Sequence, residues 1–468
     1  MAEEIHEMTA ADLSSAFAAR TLSPVEVCQS CLGRIEALDA KINAFCLVDP
    51  DAAMRAAEDS EARWSAGAAL SPLDGVPVAI KDLLLTRGWP TRRGSLTVDP
   101  QGPWTDDAPA VARLREAGAV LIGKTTTPEF GWKGTTDSPL TGVTRNPWNL
   151  AKTPGGSSGG SAAALAARFV PLALGTDGGG SIRIPASFTA TYGLKPSFGR
   201  VPAFPLSPFG TVAHVGPMAR TARDAAMLLN IIAKPDARDW HALPDDGCDY
   251  TSGLHASLTG RRIAFSPRLG HVSQVVPEVE SLTVAAIGMF EQLGAIVEQI
   301  DPPIGDSAAI FRTLWWSGAA FLLRDLSAER RKLLDPGLSR MADEGGKFTL
   351  DAYLDAVAAR GTMGSRMRQF MEGYDFLVTP AVATPAFDVG RLAPTQDDGS
   401  AWMNWTPFSF PFNLTQQPAA SVNCGFTKQG LPVGLQIVGR MFDDAGVLAA
   451  SAAYENANPT HERLPAGF

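Results

Sequence analysis

The amino-acid sequence predicts an α/β protein folded as one large domain, with a sheet buried between helices. Short apolar runs bounded by Gly and Pro alternate with helix-patterned stretches over most of the chain, the pattern of strands covered by helices. At 468 residues, 45% hydrophobic and 19% charged, the chain can bury a large core. Its length alone would allow two or three domains, but no internal repeat or low-complexity linker divides it.

The elements follow in order. Ser23-Pro24-Val25-Glu26 forms a capping box with proline at the first helical position. Val25, Cys28, Leu32, Ile35 and Leu38 then recur at helical spacing, so a helix is expected over 24–39. A second is expected over 51–67, the pair packing on one side of the main body. Apolar runs at 76–80, 119–122, 172–174, 262–265, 376–378 and 435–438 read as strands, with 108–117, 158–168 and 221–232 as helices among them.

Composition excludes several functional classes. A formal net charge of −9 leaves no basic stripe for a nucleic acid. No run approaches the roughly 18 apolar residues of a membrane span, and the acidic start Met1-Ala2-Glu3-Glu4 has no apolar signal core, so a cytoplasmic protein is expected. Five scattered cysteines (Cys28, Cys31, Cys46, Cys248, Cys424) make no disulfide framework. Cys28-x-x-Cys31 lacks a second Cys or His pair and reads as small apolar residues on the first helix. Nowhere do His, Cys and carboxylates cluster at metal-ligand spacing, so neither a metal nor a cofactor is expected.

Three segments carry the chemistry. Val76-Pro77-Val78-Ala79-Ile80-Lys81-Asp82 ends an apolar run in a lysine. Thr153-Pro154-Gly155-Gly156-Ser157-Ser158-Gly159-Gly160-Ser161 and Gly175-Thr176-Asp177-Gly178-Gly179-Gly180-Ser181-Ile182-Arg183 set serines among glycines. A hydroxyl becomes a nucleophile at neutral pH only when a neighbouring base takes its proton, and none of these segments holds a His. Burial lowers the pKa of a lysine towards working pH, so Lys81 can be that base. Glycines without a Cβ let the backbone N–H groups of Gly178, Gly179 and Gly180 converge on a developing oxyanion. A phosphate-binding loop would need Gly-Lys-Ser/Thr after its glycines, and Gly160-Ser161-Ala162 supplies none.

Together these segments resemble the amidase signature family, serine hydrolases that act on amide bonds through a Ser-Ser-Lys triad. The resemblance runs over residues 72–230 and returns at 375–440. It implies a mixed sheet with helices on both faces, divided into N-terminal helices over 1–70, a signature core over 71–230, a variable specificity region over 231–410 and a return to the core over 411–468. Ser181 matches the nucleophile, Ser157 the bridging serine that follows a cis peptide, and Lys81 the base. The two serines stand 24 positions apart, as the family pattern has them, with Ser158 beside the bridge as a supporting residue. Asp177 and Arg183 match charged positions and are expected to pair with each other or with backbone and hold the Ser181 loop, with contact of Arg183 with substrate as the competing reading. The chain departs from the family at Gly178, where Thr or another side chain is common, at Thr126, where Asn is usual, and at Gln416, where Gly is usual. Asp82 faces away from Lys81 on the strand and is expected to serve structure; the resemblance puts His214 in a structural turn.

The function expected from these residues is a metal-independent amidase that cleaves linear amides through an acyl-Ser181 intermediate. Trp132, Trp316 and Trp405, with Thr126 and Gln416, are expected to line a cleft for an aryl or otherwise hydrophobic amide; the competing reading makes these tryptophans core. Two rivals remain. One is the glutaminase subunit of a tRNA-dependent amidotransferase, although the five Tyr here are not clustered into that subunit's Tyr-rich motif. The other is an inactive binding or scaffold protein of the same fold. The expected partner is a small-molecule amide, with no nucleic acid or membrane, and a homodimer is left open.

Overall fold

The computed structural model describes residues 5–395 and 401–468. Strand β1 (Phe45–Val48) is followed by β2 (Pro77–Lys81) and β3 (Val120–Thr125), then by a short hairpin of β4 (Asp137–Ser138) and β5 (Gly142–Val143). Next come β6 (Leu172–Asp177), β7 (Tyr192–Lys195) and β8 (His214–Ala219). The last five are β9 (Arg262–Phe265), β10 (Ile296–Gln299), β11 (Phe376–Pro380), β12 (Ala419–Phe426) and β13 (Pro432–Gly439). All except β4 and β5 join one 11-stranded sheet in the order β1-β3-β2-β6-β8-β7-β12-β13-β11-β9-β10. It is mixed: β2 runs parallel to β3 and β6, and β9 parallel to β10 and β11, while the other neighbours pair antiparallel.

Every residue of β2, β3, β8 and β13 is buried, because helices cover both faces and leave no wet side for polar alternation. The alternation survives in which cluster each side chain joins. Val78 and Ile80 pack into the larger core with Leu121, Leu172 and Leu174. Ala79 points the other way, with Ile122, Ala173 and the alanines of the helix Gly159–Ala166.

The helix expected over 24–39 runs from Pro24 to Ile42, starts with the Ser23/Glu26 capping box, and stops where Asn43 turns left-handed at φ 60°. Cys28 and Cys31 are buried on it, and burial pushes each thiol up to about 12. The second helix is Pro50–Ala66, ended by Gly67 at φ 68°. Two expectations need correction. Residues 1–70 contribute β1 to the sheet edge as well as helices. His214 opens β8 opposite Asp177 instead of standing in a turn; Gly216 and Pro217 disguise that strand, Pro being rare in a central strand. Among the described residues, no helix is long and apolar enough to cross a membrane.

Candidate active site

Two adjacent strand ends and one helix start build the site. Lys81 is the last residue of β2, fully buried, and β2 lies beside β6, which ends at Thr176 and Asp177. Ser157 and Ser158 precede the helix Gly159–Ala166, whose first turn fits only because glycine stands at 159 and 160. A Cβ there would lie 2.2 Å from Thr136 Oγ1 and 2.4 Å from Thr126 Oγ1 respectively. The Gly156–Ser157 peptide is cis.

Lys81 Nζ lies 2.7 Å from Ser157 Oγ, 2.8 Å from Ser158 Oγ and 2.9 Å from Thr176 Oγ1, and 3.4 Å from the Thr176 carbonyl. No carboxylate ion-pairs with it among the described residues. Burial holds its pKa well below the ordinary lysine value, only partly opposed by the charge of Asp177. Ser158 is therefore a direct partner of Lys81, and its hydroxyl also donates to the Thr176 carbonyl at 3.1 Å. Thr176 escaped the sequence reading; its signal was its place in the motif immediately before Asp177.

Ser181 is 7% exposed and opens onto a cavity of about 210 Å³ that Ser157, Thr176 and Gly178 also line. Its hydroxyl makes no hydrogen bond among the described residues, so the link from Ser181 to Ser157 is open here. Its carbonyl accepts from Ser158 N–H at 3.1 Å, which ties the two serine loops together.

Asp177 and Arg183 pair as expected, at 2.9 Å and fully buried. Burial alone would push the Asp177 carboxyl up, but the Arg183 charge and hydrogen bonds from Arg183 and Asn413 hold it well below the usual range. Arg183 also donates to Gln436 Oε1 at 2.7 Å, Asn413 Oδ1 at 2.6 Å and the Ser409 carbonyl at 2.9 Å. Strands and loops far apart in the chain thus fix the Ser181 loop.

The glycine run does not act as three equal donors. Gly180 N–H donates to Asp177 Oδ1 at 2.7 Å, whereas the N–H groups of Gly178, Gly179 and Ser181 have no partner among the described residues. A Cβ on Gly178 would lie 2.6 Å from Trp315 Cζ3, and one on Gly179 2.7 Å from Phe311 Cζ. Glycine at 178 is therefore required by Trp315, whose ring fills the space a side chain would take.

The cavity wall is largely apolar: Leu83, Phe130, Phe204, Phe209, Trp315 and Leu322 all line it. Trp315 stacks on Phe209 with ring centroids 3.8 Å apart. None of the five side chains expected to touch substrate lines this cavity. Thr126 is buried and bonds Thr144 Oγ1 at 2.7 Å. Trp132 packs against Gly337 and accepts Trp315 Nε1–H on its carbonyl at 3.2 Å. Trp316, one helical step from Trp315, faces Phe348 and Arg312. Trp405 is core, stacked on Phe188 with its indole N–H on the Leu392 carbonyl at 3.0 Å. Gln416, at φ 67°, donates to the carbonyl of Thr211 at 3.0 Å, and Thr211 lines the cavity. His214 is buried, its Nδ1 2.8 Å from the Val212 carbonyl, and burial followed by the Lys195 charge keeps it neutral. Asp82 faces Lys124 at 3.4 Å, away from Lys81.

The chain is similar to known proteins over nearly its whole length. The sequence model of the family described as Amidase matches residues 26–448. The acylamidase of Rhodococcus erythropolis is 37% identical over 472 residues, covering 99% of this chain and 98% of its own. A glutamyl-tRNA(Gln) amidotransferase subunit from Chloroflexus aurantiacus (strain J-10-fl) is also 37% identical, covering 99% of both chains. The crystal structure of a bacterial aryl acylamidase of the amidase signature enzymes superposes with a TM-score of 0.92 at 32% identity, over 99% of both chains.

Proposed function

The chain belongs to the amidase signature family, and from that premise we propose that it hydrolyses a carboxamide through an acyl-Ser181 intermediate with Lys81 as the base. The observation that carries the reading is Lys81 itself: a fully buried amine held by three hydroxyls and no carboxylate, a setting that favours the neutral form a base must have.

In the forward step, Ser181 Oγ attacks the amide carbon and its proton passes to Ser157 Oγ as the Ser157 proton passes to Lys81 Nζ. The Ser181–Ser157 link forms when substrate docks, since catalytic hydrogen bonds tighten only in the complex. The carbonyl oxygen becomes an oxyanion facing the unpaired N–H groups of Gly178 and Gly179. As the C–N bond breaks, the proton returns along the same path to the leaving nitrogen, and water then cleaves the acyl ester by the same route.

The apolar wall supports an aryl or otherwise hydrophobic amide, because burying such a group is worth about 25 cal/mol per Å² and a small polar amide gains little of it. Similarity to the Chloroflexus protein favours a second reading, release of ammonia from glutamine for a partner. One experiment separates the two: label the protein with a fluorophosphonate, map the site, and assay aryl, alkyl and aminoacyl amides beside glutamine. Labelling at Ser181 with aryl amides preferred is expected. Preference for glutamine would replace the aryl reading, and labelling elsewhere would remove Ser181 from its role.

A further inference from the structure

We propose that Arg93 is a binding residue for a carboxylate carried on the amide substrate, an inference that rests on the amidase reading above. Arg93 lines the same cavity as Ser157 and Ser181. Its position is fixed by backbone: it sits at φ 56°, and its carbonyl accepts the N–H of Phe130, itself at φ 51°, at 2.8 Å. Gly131 follows, and a Cβ there would lie 3.2 Å from Ser157 Oγ. A short run of backbone therefore connects the arginine to the serines.

Its side chain differs from the other arginines around the site. Arg183 is fully engaged by Asp177, Asn413, Gln436 and a carbonyl. Among the described residues, the Arg93 guanidinium makes no hydrogen bond and no ion pair, and it is partly buried. A guanidinium carries five N–H donors in a fork that matches a carboxylate two bonds at a time. Left without a partner against an apolar wall, it is a donor set awaiting an acceptor.

The rest of the lining narrows the class. The acidic residue among the lining residues is Asp239, and both its oxygens are taken by backbone, Oδ1 by His241 N–H at 2.9 Å and Oδ2 by Ala203 N–H at 2.8 Å. His214, also on the wall, is neutral. The cavity thus offers, in apolar surroundings, one guanidinium with no hydrogen-bond or ion-pair partner among the described residues, its charge felt only by the buried Asp82 behind it. That suits an apolar amide ending in a carboxylate and disfavours a free amino acid such as glutamine, whose ammonium would meet no free carboxylate.

The test uses two matched pairs: N-phenylsuccinamate against butyranilide, with the carboxylate on the acyl half, and 4-acetamidobenzoate against acetanilide, with it on the amine half. Wild type, Arg93→Gln and Arg93→Lys are assayed on all four, and binding of 3-phenylpropionate to wild type and Arg93→Gln is measured by calorimetry. Wild type is expected to favour the carboxylate member of one pair in kcat/KM. Arg93→Gln should lower that ratio about tenfold to a hundredfold, mainly through KM, with Arg93→Lys between, and should weaken 3-phenylpropionate binding similarly. The pair that responds identifies the half of the substrate bound. Preference for the neutral member in both pairs, or a ratio untouched by Arg93→Gln, overturns the proposal. Failure to cleave any of the four, with Arg93-dependent binding kept, removes the aryl-amide reading and leaves the anion site standing; equal binding to both proteins removes the site.

Discussion

Lys81 and Lys124 stand on adjacent parallel strands, one register step apart, since Ile80 pairs with Lys124 and Lys81 with Thr125. Both are fully buried, yet their partners differ. Lys124 Nζ donates to the Leu84 carbonyl at 2.7 Å and to Thr91 Oγ1 at 2.8 Å, and faces Asp82 at 3.4 Å. Lys81 meets three hydroxyls, and the nearest opposing charge, Asp177, is bound to Arg183. Burial lowers the pKa of both; at Lys81 only the charge of Asp177 opposes it, whereas at Lys124 the charge of Asp82 and its direct hydrogen bond both do. A carbonyl and a carboxylate can only accept, so they reward the ammonium; a hydroxyl whose proton is not committed elsewhere accepts from an ammonium or donates to an amine equally well, and at Lys81 those of Ser157 and Thr176 are so placed, Ser158 donating to the Thr176 carbonyl. Burial makes a lysine available as a base only where its neighbours tolerate both protonation states.

The comparison breaks most visibly in activity. Ser181→Ala and Lys81→Ala should each lower kcat/KM by at least about a thousandfold, Ser181→Ala with the melting midpoint unchanged because it deletes only a hydroxyl on a loop, and Ser157→Ala somewhat less, since a water can partly replace the relay. Lys124→Met should do the reverse: Asp82 is left buried without its counter-ion, which costs about 3–5 kcal/mol, while the folded fraction keeps its specific activity. Denaturant unfolding beside steady-state kinetics reads both, and a stable, inactive Lys124→Met would erase the distinction.

The tryptophans sharpen it. Trp405→Ala removes a core ring, so a loss of about 3–5 kcal/mol is expected, with the kcat/KM ratio between an aryl and a short aliphatic amide unchanged; Trp315→Ala should change that ratio. Smaller still is Gly178→Thr, which drives a side chain into the Trp315 ring and should cost about 1–3 kcal/mol. In a Trp315→Ala background, itself destabilised by loss of a buried ring, the same Gly178→Thr change should cost nothing further, and calorimetry of the two single variants, the double variant and wild type checks it.

How far the sequence carried these conclusions depended on whether the signal was local. The capping box Ser23/Glu26 and the apolar runs before Lys81 and after Phe376 announce their elements, because caps and periodicity are written in neighbouring residues. The serine segments and Lys81 stood out for the same reason. The strand β8 did not, since Gly216 and Pro217 interrupt its pattern and only pairing with β6 makes it a strand. Trp315 and Trp316 are equal in sequence; a turn of about 100° around the helix separates wall from periphery. Gly178 read only as a departure from the family until the position of Trp315 supplied its cause, and Gly180 read as an oxyanion donor until Asp177 was found on its N–H. Arg93 carried no motif at all: what distinguishes it is the absence of a partner, which only three dimensions reveal.

The central claim is that Lys81 is neutral when it accepts the Ser181 proton, and the pH dependence of the second-order rate of Ser181 labelling by a fluorophosphonate tests it without choosing a substrate. A base with a lowered pKa is protonated and idle below that pKa and active above it. The labelling rate should therefore rise with pH through one ionisation lying below 10.5, the ordinary lysine value, and Lys81→Ala should lose both the rate and the ionisation. Labelling as fast in Lys81→Ala as in wild type, or a wild-type rate that falls as the pH rises above about 6, would contradict the account.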